Sequence, residues 1–159
     1  MSFGPEVSNW KYSLFLENEK NNFNKDNILN ILTKKDIDEA CNTISTWNNY
    51  FYTPLISLNK LAKKLSINKI FYKDESKRFN LKSFKALGGA YAVEKITKGK
   101  KEIVVSTATA GNHGRSVAWG AQKLGLKCKI FISEHVSEFR AEKMRSFGAD
   151  VIRVKGNYD

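Results

Sequence analysis

Long apolar runs, cysteine, proline and acidic charge are all scarce in this chain. No stretch of about 18 apolar residues occurs, so no segment reads as a membrane-spanning helix. The start, Met1-Ser2-Phe3-Gly4-Pro5-Glu6, lacks the basic and then apolar regions of a secretory leader, so no signal peptide is expected. There are two cysteines, Cys41 and Cys128, too far apart for any metal-ligand or redox spacing. They read as reduced thiols of a cytoplasmic protein, and no metal site is expected. Acidic residues number 16 against 27 basic ones, a net charge of +11. Such an excess can mark a nucleic-acid binder. Here only Arg78, Arg115, Arg140, Arg145 and Arg153 are arginines, and the lysines are spread along the chain. Phosphate and base recognition favours arginine's planar fork, so nucleic acid is not expected as a partner.

What is present fits an ordinary globular domain. The 159 residues are enough for one domain with its own core, and 42% are hydrophobic. Residues 1–33 are polar and asparagine-rich and read as an irregular N-terminal arm. From 34 the pattern sharpens. Thr33 is a candidate helix cap, with Ile37, Ala40, Cys41, Ile44 and Trp47 at helical spacing. Pro54 ends that helix, because the residue before a proline avoids helical backbone angles. Ser57 is a candidate cap for a short helix bearing Leu58, Leu61, Ala62 and Leu65.

A regular alternation follows. Short apolar runs at 69–73, 102–106, 127–132 and 150–154 read as strands. Segments 83–96, 112–124 and 137–147 between them read as helices, with Gly125 and Gly148 just past two helix ends. Strands alternating with helices predict an α/β fold: a parallel sheet with flanking helices and right-handed crossovers.

Two constellations carry chemistry. Lys85, in Ser83-Phe84-Lys85-Ala86-Leu87-Gly88-Gly89, follows a strand end and falls in the first turn of a predicted helix. Ligands of open α/β sheets bind at strand carboxyl ends. The positive helix end disfavours an ammonium by about 0.3–1 kcal/mol, which favours a neutral amine able to form an imine. Two helical glycines, each costing roughly 1 kcal/mol relative to alanine, imply a close approach to the backbone there. The plain alternative is a solvated helix-face lysine. The second constellation is Ser106-Thr107-Ala108-Thr109-Ala110-Gly111-Asn112-His113-Gly114-Arg115, again between a strand and a helix. Its small residues and helix N-terminus suit a substrate carboxylate. Asn112 can donate its amide to a cofactor ring oxygen. The alternatives are an ordinary capped turn at Thr109 or Asn112 and a hydrogen-bonded structural histidine at 113. Asp74, Glu75, Lys77 and Arg78 read either as a surface ion-pair cluster or as residues shaping the site.

The segments Lys73–Phe79, Phe84–Ala92 and Gly111–Trp119, together with Thr53-Pro54-Leu55, resemble the diaminopropionate ammonia-lyases, a family within the fold-type II pyridoxal-phosphate (PLP) enzymes. The resemblance covers roughly residues 50–159. It implies PLP as cofactor, carried on Lys85, with Asn112 contacting the 3′-oxygen of its ring. It places Thr109, Gly111 and His113 in the loop that holds the substrate carboxylate. It implies β-elimination of 2,3-diaminopropionate to pyruvate and ammonia, and a homodimer for the full-length enzyme. In two respects the chain departs from the family. Those lyases usually carry an aspartate where Ala110 stands, and alanine cannot transfer a proton. The run Ala110-Gly111-Asn112-His113 looks instead like threonine dehydratases, so a threonine/serine dehydratase-like lyase is the alternative. The family's glycine-rich phosphate loop and the residue facing the pyridine nitrogen normally come later than residue 159. The chain therefore reads as the N-terminal part of such an enzyme, with a non-catalytic fragment as the remaining reading.

Overall fold

The computed structural model describes Asp26 and residues 31–156. The expected arm over 1–33 lies, apart from Asp26 and 31–33, outside the described residues. The chain divides into two units, Met1–Asp36 and Ile37–Asp159. Helix α1, Lys34–Ser45, begins at a reciprocal cap. Thr33 Oγ1 accepts the Asp36 N–H and the Asp36 carboxylate accepts the Thr33 N–H, both at 3.1 Å. Past α1, Trp47 is buried, and its Nε1 donates to Glu94 Oε2 at 2.9 Å.

Strands β1 (Leu55–Ser57) and β2 (Phe71–Lys73) pair antiparallel, Ile56 opposite Tyr72, with the short helix α2 (Asn59–Lys64) between them. This corrects the expectation that the run at 69–73 joins the parallel sheet. The run instead finds its partner in β1, three residues against three, and all three β2 residues are exposed. Ser57 also fails as a backbone cap: its Oγ donates to the Asn59 side chain at 2.6 Å.

The expected α/β core is present from α3 onward. Helix α3 spans Lys85–Thr97, β3 Val104–Ala108, α4 Asn112–Lys123, β4 Lys127–Ser133, α5 Glu138–Arg145 and β5 Ala149–Val154. The three strands are parallel in the order β3-β4-β5, with Val105 opposite Cys128 and Ile130 opposite Val151. Strand β4 alternates, burying Cys128, Ile130 and Ile132 while Lys127 and Lys129 stay exposed. Those apolar side chains pack with Val117, Ala118 and Ala121 of α4 and with Ala141 and Met144 of α5. Each fully buried isoleucine or methionine contributes about 1.5–3 kcal/mol. Gly125 (φ 67°) and Gly148 (φ 79°) take the left-handed conformation expected past α4 and α5.

Helices α3 and α4 lie close together because small residues face each other. A Cβ on Gly120 would sit 2.8 Å from the Ala90 backbone, and one on Gly89 would sit 2.4 Å from Ser116 Oγ. This packing fixes the N-termini of α3 and α4 side by side.

Candidate active site

The segment leading to Lys85 is held by a buried guanidinium. Arg78 is 5% exposed. Its Nε and Nη2 donate to Glu75 at 2.7 and 3.0 Å, its Nη1 to the Phe51 carbonyl at 2.8 Å, and its Nη2 to Thr53 Oγ1 at 3.0 Å. The Thr53 hydroxyl also donates to Glu75, and Lys73 Nζ donates to the Thr53 carbonyl at 2.6 Å. The hydrogen bond from Arg78 holds the Glu75 carboxyl below its ordinary range against the opposing effect of burial, and that from Thr53 adds to it. The surface reading of this cluster is therefore corrected for Glu75 and Arg78, while Lys77 is exposed as that reading had it. Sequence gave no sign of the burial, but Thr53, Glu75 and Arg78 converge only once β1 and β2 pair.

The chain then turns sharply. Phe79, Asn80 and Lys82 all have positive φ, at 46°, 60° and 54°. Such residues cost of order 1–3 kcal/mol each and persist only when their surroundings hold them. The hold here comes from Arg78 before the turn and from Phe79 and Leu81, buried against Trp47, Ala86 and Ala90.

Lys85 is the first residue of α3, two residues later than the start expected at Ser83. Ser83 still acts at the helix entry, because its Oγ accepts the Lys85 N–H at 3.2 Å. The Lys85 carbonyl accepts Ser116 Oγ at 2.6 Å, which ties it to the first turns of α4. Its side chain is exposed, with Nζ 5.2 Å from the Phe84 ring centroid. The glycine pair divides in two. Gly89 is packed against Ser116 and Val117, while a Cβ on Gly88 would meet nothing within 4 Å. Gly88, three residues after Lys85, is on the same helix face.

The loop from β3 to α4 splits its residues between two faces. Thr109 is buried; its N–H donates to the Phe131 carbonyl at 3.0 Å and its methyl packs on Gly114. Gly111 is the helix cap residue, and Asn112 opens α4. Thr109, Ala110, Gly111 and Asn112 line one cavity of about 530 Å³ together with Arg115 and residues of α5. His113 instead lines an apolar groove along β3, with Gly89, Ser106 and Thr107. Its ring is exposed and makes no hydrogen bond to another described residue, which does not match a hydrogen-bonded structural histidine. Asn112 is exposed; its Oδ1 accepts Arg115 Nη1 at 3.4 Å, and its amide donors face no described acceptor. Lys85 lines neither the cavity nor the groove. The motif includes Gly114 without showing why glycine is needed there; a Cβ would lie 2.6 Å from Thr109 Cγ2 and 2.9 Å from Met144 Sδ.

The pyridoxal-phosphate dependent enzyme family matches residues 46–159. The chain belongs to this family. It is similar to the diaminopropionate ammonia-lyase of Salmonella typhimurium, 41% identical over an alignment of 133 positions that covers 70% of this chain and 33% of that relative. It is also similar to the biosynthetic L-threonine dehydratase of Haemophilus influenzae, 36% identical over 108 residues, 67% of this chain and 20% of that relative. Among solved structures, Escherichia coli diaminopropionate ammonia lyase in complex with an aminoacrylate-PLP azomethine reaction intermediate superimposes with a TM-score of 0.74. It is 36% identical, and the match covers 79% of this chain and 36% of that one. The chain thus spans about a third of the length of the ammonia-lyases it matches.

The residues present fit the ring end of the family's cofactor. An exposed lysine amine stands at a helix start, and an exposed amide donor at Asn112 opens the neighbouring helix. Gly88 leaves an open helix face beside Lys85 where a flat ring has room. The phosphate end is not matched, because the described residues contain no further glycine-rich loop after a strand.

Proposed function

We propose that the chain supplies the lysine-bearing part of a PLP-dependent β-eliminating ammonia-lyase acting on 2,3-diaminopropionate, with pyruvate and ammonia as products. The observation that carries this reading is the presentation of Lys85. Its backbone is fixed on both sides, by Ser83 and by Ser116, while its side chain is exposed, its amine over the Phe84 ring and on the helix face that Gly88 leaves open. PLP, when bound, supplies an electron sink for negative charge at the substrate α-carbon. Lys85 Nζ would hold the cofactor in the resting site and, once a substrate amine displaces it, would be the group that takes up the proton leaving the α-carbon. Asn112 donates its amide to the ring oxygen. Thr109, Gly111 and His113 belong to the loop for the substrate carboxylate; the Thr109 N–H is already given to Phe131, so Thr109 acts by shaping the loop, its Oγ1 accepting the Gly111 N–H at 3.5 Å, and His113 would act from the neighbouring groove. On this reading 34–159 is one part of the PLP-binding domain, and the complete enzyme is a cytoplasmic homodimer with a small amino-acid substrate and no nucleic-acid partner.

Ala110 favours a second reading, a threonine/serine dehydratase-like lyase, since it leaves Lys85 without an aspartate to share proton transfer. Adding PLP to the chain is expected to give an imine absorption band that Lys85→Ala abolishes. A folded chain with no band would overturn the proposal. Parallel assays for pyruvate and 2-oxobutyrate with diaminopropionate, serine and threonine separate the two lyases. A band without turnover on any of the three supports the non-catalytic reading.

A further inference from the structure

The cavity between α4 and α5 has a charge character that amino-acid binding does not explain. Arg115 of α4 and Arg140 and Lys143 of α5 converge on its 530 Å³, and no acidic residue lines it. Glu138, on the first turn of α5, is already engaged by Arg145 and Arg153. Arg115 Nε is buried with no hydrogen-bond partner, and the guanidinium's one hydrogen bond to another side chain is the 3.4 Å bond to Asn112. Nε lies too deep for an anion in the cavity to reach, so the groups available to one are the terminal nitrogens, whose only side-chain bond among the described residues is that long one. Like charges gathered around one cavity also repel each other unless an anion sits among them. The N-terminus of α4 adds positive potential on the same side. On the α5 wall, Phe139 stands beside Lys143, whose Nζ lies 5.3 Å from its ring centroid.

We infer that this cavity binds a phosphate-sized dianion, held by Arg115, Arg140 and Lys143. A single carboxylate leaves most of three cations uncompensated. A phosphoryl group offers several acceptor oxygens and matches two guanidinium forks and an ammonium. Thr109, Gly111 and Asn112 also line the cavity, so the anion would sit beside the proposed substrate and cofactor loop; the inference itself rests on Arg115, Arg140 and Lys143, and its test reads binding without cofactor or turnover. The phosphoryl group can be free, as inorganic phosphate or on an effector, or can be carried by an amino-acid substrate.

The test is a titration of the cofactor-free chain with inorganic phosphate, followed by amide chemical shifts and calorimetry, against sodium chloride at matched ionic strength. One saturable site is expected, with shifts concentrated at 111–115 and 139–143. The double variant Arg140→Gln/Lys143→Gln is expected to weaken binding about tenfold or more. Lys127→Gln/Lys129→Gln removes the same charge from the exposed face of β4 and is expected to change affinity by no more than about twofold. All four positions are exposed, so thermal midpoints check that both variants fold; should the cavity pair unfold, Arg140→Lys, which keeps the charge and loses the fork, is expected to weaken binding in its place. Phosphate acting no differently from chloride, or the β4 pair weakening binding as much as the cavity pair, overturns the inference. O-phosphoserine distinguishes the sources. If it binds more tightly than phosphate and Asn112→Ala removes the difference, the substrate carries the anion; equal affinities point to free phosphate or an effector. Either result upholds the site.

Discussion

At Gly89 an added Cβ would lie 2.4 Å from Ser116 Oγ, the atom that donates to the Lys85 carbonyl, whereas at Gly88 it would meet nothing within 4 Å. These neighbours should therefore respond in opposite directions to the same substitution. Gly89→Ala must displace Ser116 and with it the tie to Lys85, so a loss of about 1–3 kcal/mol is expected, measured by urea unfolding. Gly88→Ala adds a helix-favouring residue in free space and is expected to gain up to about 1 kcal/mol. If the cofactor ring comes against this face, the same substitution lowers PLP uptake while raising the thermal midpoint. An absorbance titration beside a melting curve checks both. Uptake unchanged in Gly88→Ala would mean that the ring lies elsewhere.

Between β2 and α3, one side chain holds the geometry. Arg78 joins Phe51, Thr53 and Glu75 just before three residues of positive φ, and Lys85 follows directly. Arg78→Met removes the cation and leaves Glu75 without its main partner, so a destabilisation of about 3 kcal/mol or more is expected in urea unfolding. Acid should act through the same contact. The Glu75 carboxyl is held below its ordinary 4.5, so the folded state binds fewer protons than the unfolded one in that range. The stabilisation is complete above the ordinary value and is lost as pH falls through the lowered one. In Glu75→Gln the pH dependence below the ordinary value should become shallower, while stability near neutrality drops. Unfolding midpoints across the acid range measure this, and an unchanged acid slope would show that other carboxylates set it.

Across the whole molecule, the features visible in the sequence were those written in local pattern. The α4 stripe of Val117, Ala118 and Ala121, the alternation in β4, the end glycines 125 and 148 and the place of Lys85 in a first helical turn all follow from residue spacing and helix-end chemistry, whereas its expected place after a strand of the parallel sheet does not hold. The features that escaped depend on segments meeting in space. The run at 69–73 has the composition of a strand, but nothing in it names its partner. Only one residue of the Phe79–Asn80–Lys82 turn, Asn80, is of a type that favours positive φ. Arg115, Arg140 and Lys143 converge only when α4 and α5 pack on the same sheet. Their charge belongs to a larger imbalance, a net +11 carried by 159 residues. Among the described residues, Glu39, Glu75, Glu94 and Glu138 are each engaged by a cation, so the remaining field is positive and opposes compaction. Exposed pairs such as Glu39 with Lys95 contribute little, so screening them costs little. Screening the repulsion should matter more. The thermal midpoint is therefore expected to rise as sodium chloride is raised from low ionic strength to about 0.15 M, where the screening length is about 8 Å. Phosphate at the same ionic strength should raise it further, by preferential binding to the folded state. Arg140→Gln/Lys143→Gln should keep the chloride response and lose the phosphate increment. A midpoint that falls with chloride would mean that the ion pairs, and not the net charge, dominate the electrostatics of this fold.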